Sequence, residues 1–412
     1  MSKSDKPIIR SRLDLDLYKL TMGRWIWETH PDVLVTFGTI NRSKKIRLLN
    51  ILDPGQIREE LEHVRTLFAN QAEKAYLRGL GFPKDYVDFF GDMVFPKFEL
   101  RTETDSGQRD LELSFPGAWA KSTYWETFAL AILTELRFRW MKQNLRPLDL
   151  KAFLSSRWIN LQRKKDLLQS SPLTYTEFGT RRRASFEWQV ELNYHMAREL
   201  PAQHAATSNV KIAMMLGLEP RGTNAHECQQ TLAGLAGAND EELRYSVERF
   251  LREWVKMYEG KNTIILSDTY GTDFVLANVD PTLLESCKGF RHDSGDPFEF
   301  ARKILKWYQS RGIKTKEKLI LFSVSLTAEI MLQLWNEFHE DINVTFGWGT
   351  NLTFDYDGLK PISLVCKVIE VDGRPAVKLS DNLAKAVGPI EEVERYKRVF
   401  GYSNEYSEEC RT

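Results

Sequence analysis

A chain of 412 residues, 42% apolar and 28% charged, has enough material for a large core and for two domains. Lys plus Arg and Asp plus Glu each total 57, so no global field draws nucleic acid or an anionic membrane to it, and an anionic ligand must be caught locally. Cys228, Cys287, Cys366 and Cys410 lie far apart with no CxxC pair, which argues against a disulfide framework and a structural zinc site and for a reducing compartment.

The N-terminal stretch from Met1 to Pro7 lacks the apolar core of a signal peptide. Residues 13–22 read as a helix start with Asp16 as its cap, and 33–38 as a strand. Ile57, Leu61, Val64, Leu67 and Phe68 recur at helical spacing within 55–80. Residues 109–113, opening on Arg109, alternate like a strand leading to Pro116-Gly117. Residues 124–138 then form a strongly apolar helix, whose longest apolar run, 128–133, is too short to span a bilayer. A soluble, cytoplasmic protein is expected, and its first part is mixed α and β.

From about residue 172 short β-like runs end in polar or glycine clusters, each followed by a helix. Residues 175–180 precede a helix from Ala184, and 205–209 precede one over 210–216. Residues 218–223 precede Ala225-His226-Glu227, and 263–268 end in a polar cluster at 269–273. Residues 319–323 precede a helix with Ile330, Leu334 and Phe338 on one face, and 344–350 follow. This rhythm gives a parallel sheet and suggests an α/β barrel; a doubly wound open sheet has the same local pattern. A hairpin around Asp372-Gly373 lies within 365–380, and the last thirty residues are helical, then frayed.

Four stretches carry candidate chemistry. Arg291-His292-Asp293-Ser294-Gly295-Asp296-Pro297 opens onto a helix, with Asp296 as cap, Pro297 first and Glu299 completing a capping box. A helix N-terminus favours anions by only about 0.3–2 kcal/mol, whereas micromolar affinity needs about 8 kcal/mol, so other segments must converge on it. Thr180-Arg181-Arg182-Arg183 is either a solvated helix face or an anion site, with at most two of its arginines facing the strand ends and Phe178 offering a face for a flat ring. His226, with only Glu227 near it in sequence, is a structural histidine, a nucleophile or, less well supported by spacing, a metal ligand. Gly347-Trp348-Gly349-Thr350 is a tight turn or a backbone phosphate cradle.

Taken in order and spacing, these stretches resemble the nicotinate phosphoribosyltransferases, members of the type II phosphoribosyltransferases. The resemblance also rests on 14–22, Trp125-Glu126, Thr207-Ser208-Asn209-Val210 and Lys378-Leu379-Ser380-Asp381, and spans nearly the whole chain. It implies an irregular, TIM-like α/β barrel over 146–359 and an additional α+β domain over 1–145, completed by about 360–412, in a homodimer with shared active sites. It implies that Phe178 and Tyr18 sandwich a pyridine ring, Tyr18 coming from the partner subunit. Arg291 would face the nicotinate carboxylate near Ser208, and Arg181 would lie near ring or phosphate. Asp293 would hold the ribose hydroxyls with Ser294 beside it, and Gly349 and Thr350 the 5′-phosphate. His226 matches the histidine phosphorylated from ATP.

The implied reaction makes nicotinate mononucleotide and pyrophosphate from nicotinate and phosphoribosyl pyrophosphate, for NAD salvage. Charge develops at ribose C1 and on the leaving group, so Mg²⁺ and fixed anion donors are expected. The pyridine nitrogen has a free lone pair, so no general base is needed. Relatives that use nicotinamide carry an acid where Ser208 stands, and a neutral Ser208 does not repel a carboxylate. One departure is Val324, where the family usually carries an Asp; the loss is worth roughly 1.5–3 kcal/mol of charge-assisted hydrogen bonding, which Ser325 and Asp293 would have to offset. The rival expectations are a nicotinamide or quinolinate phosphoribosyltransferase, and a non-catalytic homologue that binds a mononucleotide.

Overall fold

The computed structural model describes residues 6–43, 45–103, 110–260, 262–404 and 406–408. Arg109 and Cys410 lie outside these, as does most of the stretch from Met1 to Pro7. Strands β1 (Leu34–Asn41), β2 (Glu99–Arg101), β3 (Glu112–Ala118), β4 (Tyr175–Glu177), β5 (His204–Thr207), β6 (Ile264–Leu266), β7 (Gly289–His292), β8 (Leu319–Phe322), β9 (Asn343–Trp348), β10 (Leu364–Val371) and β11 (Arg374–Pro375) fall into two sheets. The first is antiparallel, in the order β11-β10-β1-β3-β2. The second is parallel, in the order β5-β4-β9-β8-β7-β6. Among the described residues no ladder joins β5 to β6, and the expected strand at 218–223 is reduced to one bridge at Pro220, which has no N–H to continue it. The strands are short, three to six residues in the parallel sheet, so their polar carboxyl ends come quickly to one rim.

The helix Trp125–Asn144 is buried without interruption from Trp125 to Phe138. It packs on β10, on the helix Pro54–Thr66 and on the turn Thr180–Arg182, so one element ties both sheets together. Its buried stretch includes Glu126, Glu135 and Arg137 as well as apolar residues, and each of these three is paired: Glu126 with Lys19, Glu135 with Arg139 and Arg137 with the Lys360 carbonyl.

Several boundaries differ from the sequence pattern, each for a local reason. The helical spacing over 55–80 is split into Pro54–Thr66 and Gln71–Gly79, because Leu67 is extended and Asn70 forms a capping box with Glu73. Asp16 precedes the helix Leu17–Thr29 but its carboxylate does not cap it, being turned to Ser208. Thr180–Arg182 is a 3₁₀ turn, and the next helix starts at Phe186, capped by Ser185. Strand β3 runs through Pro116-Gly117 rather than ending there. Asp296 caps the helix Pro297–Ser310 by accepting from the N–H groups of Phe298 and Glu299 at 2.8 Å each; the return bond from Glu299 is not made.

The β10–β11 hairpin turns at Asp372-Gly373, both in the left-handed region (φ 45° and 75°). Past the helix Ile390–Phe400 the described chain is not frayed but tied down: Tyr402 Oη donates to the Ser380 carbonyl and Asn404 Nδ2 to that of Asp381. The helices Lys84–Asp92 and Pro147–Leu168 were not anticipated. Cys228, Cys287 and Cys366 are free and buried, and no described helix is long and apolar enough to cross a membrane.

Candidate active site

Two cavities meet at the carboxyl rim of the parallel sheet. The first, about 400 Å³, is lined by Tyr18, Phe178, Arg181, Ser208, His226, Arg291 and Asp293, among others. The second, about 420 Å³, holds Gly349, Thr350, Val324, Arg42, Arg182 and Lys385. Phe178, Arg181, Arg291 and Asp293 line both, so the compartments share a wall.

The first compartment is aromatic. Phe178 leaves the end of β4 with its N–H on the Trp348 carbonyl, and its ring lies against Gly347, where an added Cβ would stand 2.3 Å from Phe178 Cδ2. Only glycine leaves that room. Tyr18 donates to Glu126 Oε2 at 3.1 Å and lies under the Arg181 guanidinium, 5.4 Å from the ring centre. Within this chain Tyr18 lines the same cavity as Phe178. Burial and Glu126 keep its phenol protonated.

Arg291 is held by three contacts: Nε donates to Ser323 Oγ at 2.8 Å, Nη1 to the Asn224 carbonyl at 3.2 Å and Nη2 to Asp293 Oδ1 at 3.0 Å. Such a guanidinium is fixed before any ligand arrives. Of the arginine run, Arg181 and Arg182 face the cavities, while Arg183 is buried against Asp14 at 2.6 and 2.7 Å. Buried Asp16 and Ser208 join the half-buried Arg181 in a chain, Ser208 Oγ donating to Asp16 Oδ1 at 2.6 Å and Asp16 Oδ2 lying 3.4 Å from Arg181 Nε. Burial pushes the Asp16 acid up and Arg181 pulls it back.

The second compartment is cationic. Arg182 donates to the Arg181 carbonyl, Arg42 to the Lys385 carbonyl and Lys385 to the Asp293 carbonyl. Burial, then the charges of Arg181 and Arg42, push the Arg182 guanidinium down to about 9. A bound anion would relieve that crowding. Val324 lines this compartment and brings no carboxylate to it.

His226 stands at the cap position of the helix Glu227–Leu235, not behind a strand. Glu227 turns away from it and accepts from Trp119 Nε1, Thr123 Oγ1 and Lys19 in a buried cluster. The partner of His226 is Asp268, just past β6, with Nε2 and Oδ1 2.8 Å apart; Asp293 Oδ2 lies at 3.7 Å. Burial, then Lys378, push the imidazole down to about 4. Although burial opposes it, His226 and Lys378 hold Asp268 well below the usual carboxylate range, and Arg291 and His226 do the same for Asp293.

Ser294 does not line either cavity; it donates to Asp268 Oδ2 at 2.5 Å and accepts from the Asp381 N–H, so it supports Asp268 rather than meeting a ligand. Ligand atoms of His226, Asp268 and Asp293 lie within 4.8 Å of one another, which is close enough to hold a cation. Asp268, Asp16 and Lys385 were not singled out from the sequence as site residues, and Arg182 and Lys378 stood there only within longer motifs. Asp268 had a signal, the polar end of a strand-like run; Lys385 had none in local spacing.

Comparison with known proteins gives the family and the fold. Residues 173–404 match the model of the nicotinate phosphoribosyltransferase family, and residues 13–134 match the model of its N-terminal domain. The fold is similar to that of nicotinate phosphoribosyltransferase from Porphyromonas gingivalis, with a TM-score of 0.86 and 28% identity over 96% of this chain and 100% of that one. It is similar to the Vibrio cholerae enzyme of the same name, with a TM-score of 0.84 and 29% identity over 96% of this chain and 94% of that one.

Proposed function

Because the chain belongs to the nicotinate phosphoribosyltransferase family, we propose that it joins nicotinate to phosphoribosyl pyrophosphate, giving nicotinate mononucleotide and pyrophosphate for NAD salvage. The observation that carries this reading is the shared wall: an aromatic compartment and a cationic one meet at Phe178, Arg181, Arg291 and Asp293. A flat ring acid fits the first and a sugar phosphate the second.

In this reading Phe178 and Tyr18 bracket the ring, and the Arg291 guanidinium faces its carboxylate. Asp293 meets the ribose hydroxyls, and Gly349, Thr350, Arg182 and Lys385 surround the 5′-phosphate. The pyridine nitrogen lone pair forms the bond to ribose C1 as the bond from C1 to the pyrophosphate oxygen breaks. The chain's task is to align the two and stabilise the departing charge. Mg²⁺ prefers oxygen ligands, so Asp268 and Asp293, with substrate phosphates, suit it better than His226 does. It would supply charge neutralisation of the leaving group.

ATP coupling belongs to the same reading. His226 commits Nε2 to Asp268, which leaves Nδ1 for a phosphoryl group, and phosphorylation would add about two negative charges beside the pyrophosphate position. The parallel sheet is read as an irregular barrel opened between β5 and β6, over residues 146–359. The α+β domain over 1–145 is completed by about 360–412, since β10 pairs with β1. A homodimer and a reducing cytoplasmic setting complete the expectation.

Pyrophosphate release from phosphoribosyl pyrophosphate, with ATP and Mg²⁺ present, tests the reading against nicotinate, nicotinamide and quinolinate in turn. Nicotinate is expected to be the substrate. Release with another pyridine alone would reassign the enzyme. Tight binding of nicotinate mononucleotide without any release would favour the non-catalytic homologue, for which Val324 is the supporting feature.

A further inference from the structure

We infer that Asp16 sets how the ring compartment tells a carboxylate from an amide, by fixing which way the Ser208 hydroxyl points. The inference rests on the pyridine-binding reading above. Asp16 is 2% exposed and clasped to the residue after Ser208 by an antiparallel bridge to Asn209. The Leu17 N–H donates to the Ser208 carbonyl at 2.7 Å, which locks the two backbones together. Within this clasp Ser208 Oγ gives its proton to Asp16 Oδ1 at 2.6 Å. A hydroxyl has only one proton to give. Ser208 therefore turns lone pairs, not a donor, toward the cavity it lines. Asp16 Oδ2 is buried without a hydrogen-bond partner and faces Arg181 Nε at 3.4 Å, which also lacks one.

A Ser208 that only accepts suits a ring substituent with N–H groups and offers nothing to a carboxylate, which itself only accepts. Preference for the acid must then come from the Arg291 and Arg181 guanidinium groups, working against Ser208. Asparagine at position 16 would reverse the hydroxyl. Its carbonyl oxygen would have to face Arg181 Nε, because the alternative sets two donors against each other, so its NH₂ would donate to Ser208 Oγ. Ser208 would keep its proton for the ligand. Asp16 is thus a positioning residue that acts through Ser208.

The test is equilibrium binding of nicotinate and of nicotinamide to the full chain by calorimetry, for wild type, Asp16→Asn, Ser208→Ala and the double variant, with thermal unfolding of each. Asp16→Asn is expected to raise the nicotinate-over-nicotinamide preference about tenfold, the worth of one hydrogen bond to a charged group. In the Ser208→Ala background the gain is expected to fall below about twofold, because the group through which Asp16 acts is gone. An unchanged preference, or the same gain with and without Ser208, overturns the assignment. If Asp16→Asn does not fold, Ser208→Ala alone decides: removing an acceptor moves the preference toward nicotinate, and a move toward nicotinamide overturns it. A protein that binds both pyridines yet releases no pyrophosphate overturns the enzymatic reading only; one that binds neither overturns both.

Discussion

His226 is buried, neutral and oriented by a carboxylate that is itself held by Ser294 and Lys378. That is the state a nitrogen nucleophile needs near neutral pH, since a protonated ring has no lone pair to offer. Replacing His226 with Ala is expected to remove the stimulation of pyrophosphate release by ATP completely, measured as the rate ratio with and without ATP. Unchanged stimulation contradicts the phosphohistidine. At this scale the sequence was half legible. The run Arg181-Arg182-Arg183 offered a solvated face or an anion site, and which of its arginines faces the cavities depends on Asp14, 169 residues away, which pairs with the buried Arg183. His226 was visible, whereas its partner Asp268 lies 42 residues on and comes beside it only when the sheet forms.

Among the elements, β4 and β9 do most to shape the site, because Gly347 in β9 gives up its side chain to the Phe178 ring leaving β4. Strands β2 and β7 and the helix Asp240–Tyr258 went unread, but most other strands and helices were readable from periodicity. The break at 67–70 was not, because the apolar spacing continues through it and only the Asn70 cap ends the turn. Beside β4, His204 in β5 is buried against Tyr175 with neither ring nitrogen hydrogen-bonded, and burial pushes its pKa from 6.5 to about 4. The folded state thus binds this proton less readily than the unfolded chain. Its contribution is complete above pH 6.5 and is lost as pH falls toward 4, a swing of up to about 3 kcal/mol. His204→Gln, which does not titrate, is expected to lose less thermal stability than wild type between about pH 7.5 and about pH 5. Equal losses by calorimetry would mean that His204 does not sense acid.

In the whole molecule, segments far apart in sequence converge on one rim. The N-terminal helix brings Tyr18, the parallel sheet brings Phe178, Arg291 and Asp293, and the stretch after the β10–β11 hairpin brings Lys378 and Lys385. Strand β10 lies beside β1 across most of the chain, so the antiparallel sheet is completed only once both ends have met. No local pattern predicts such pairing, which is why Lys385 went unread while the strand-ending motifs did not. The central claim is that one ligand bridges the aromatic and cationic compartments. A crystal structure with nicotinate mononucleotide tests it directly. The ring is predicted beside Phe178 and Tyr18, the ribose at Asp293, and the phosphate among Gly349, Thr350 and Arg182. A mononucleotide bound elsewhere, or with its phosphate in the aromatic compartment, would contradict the account.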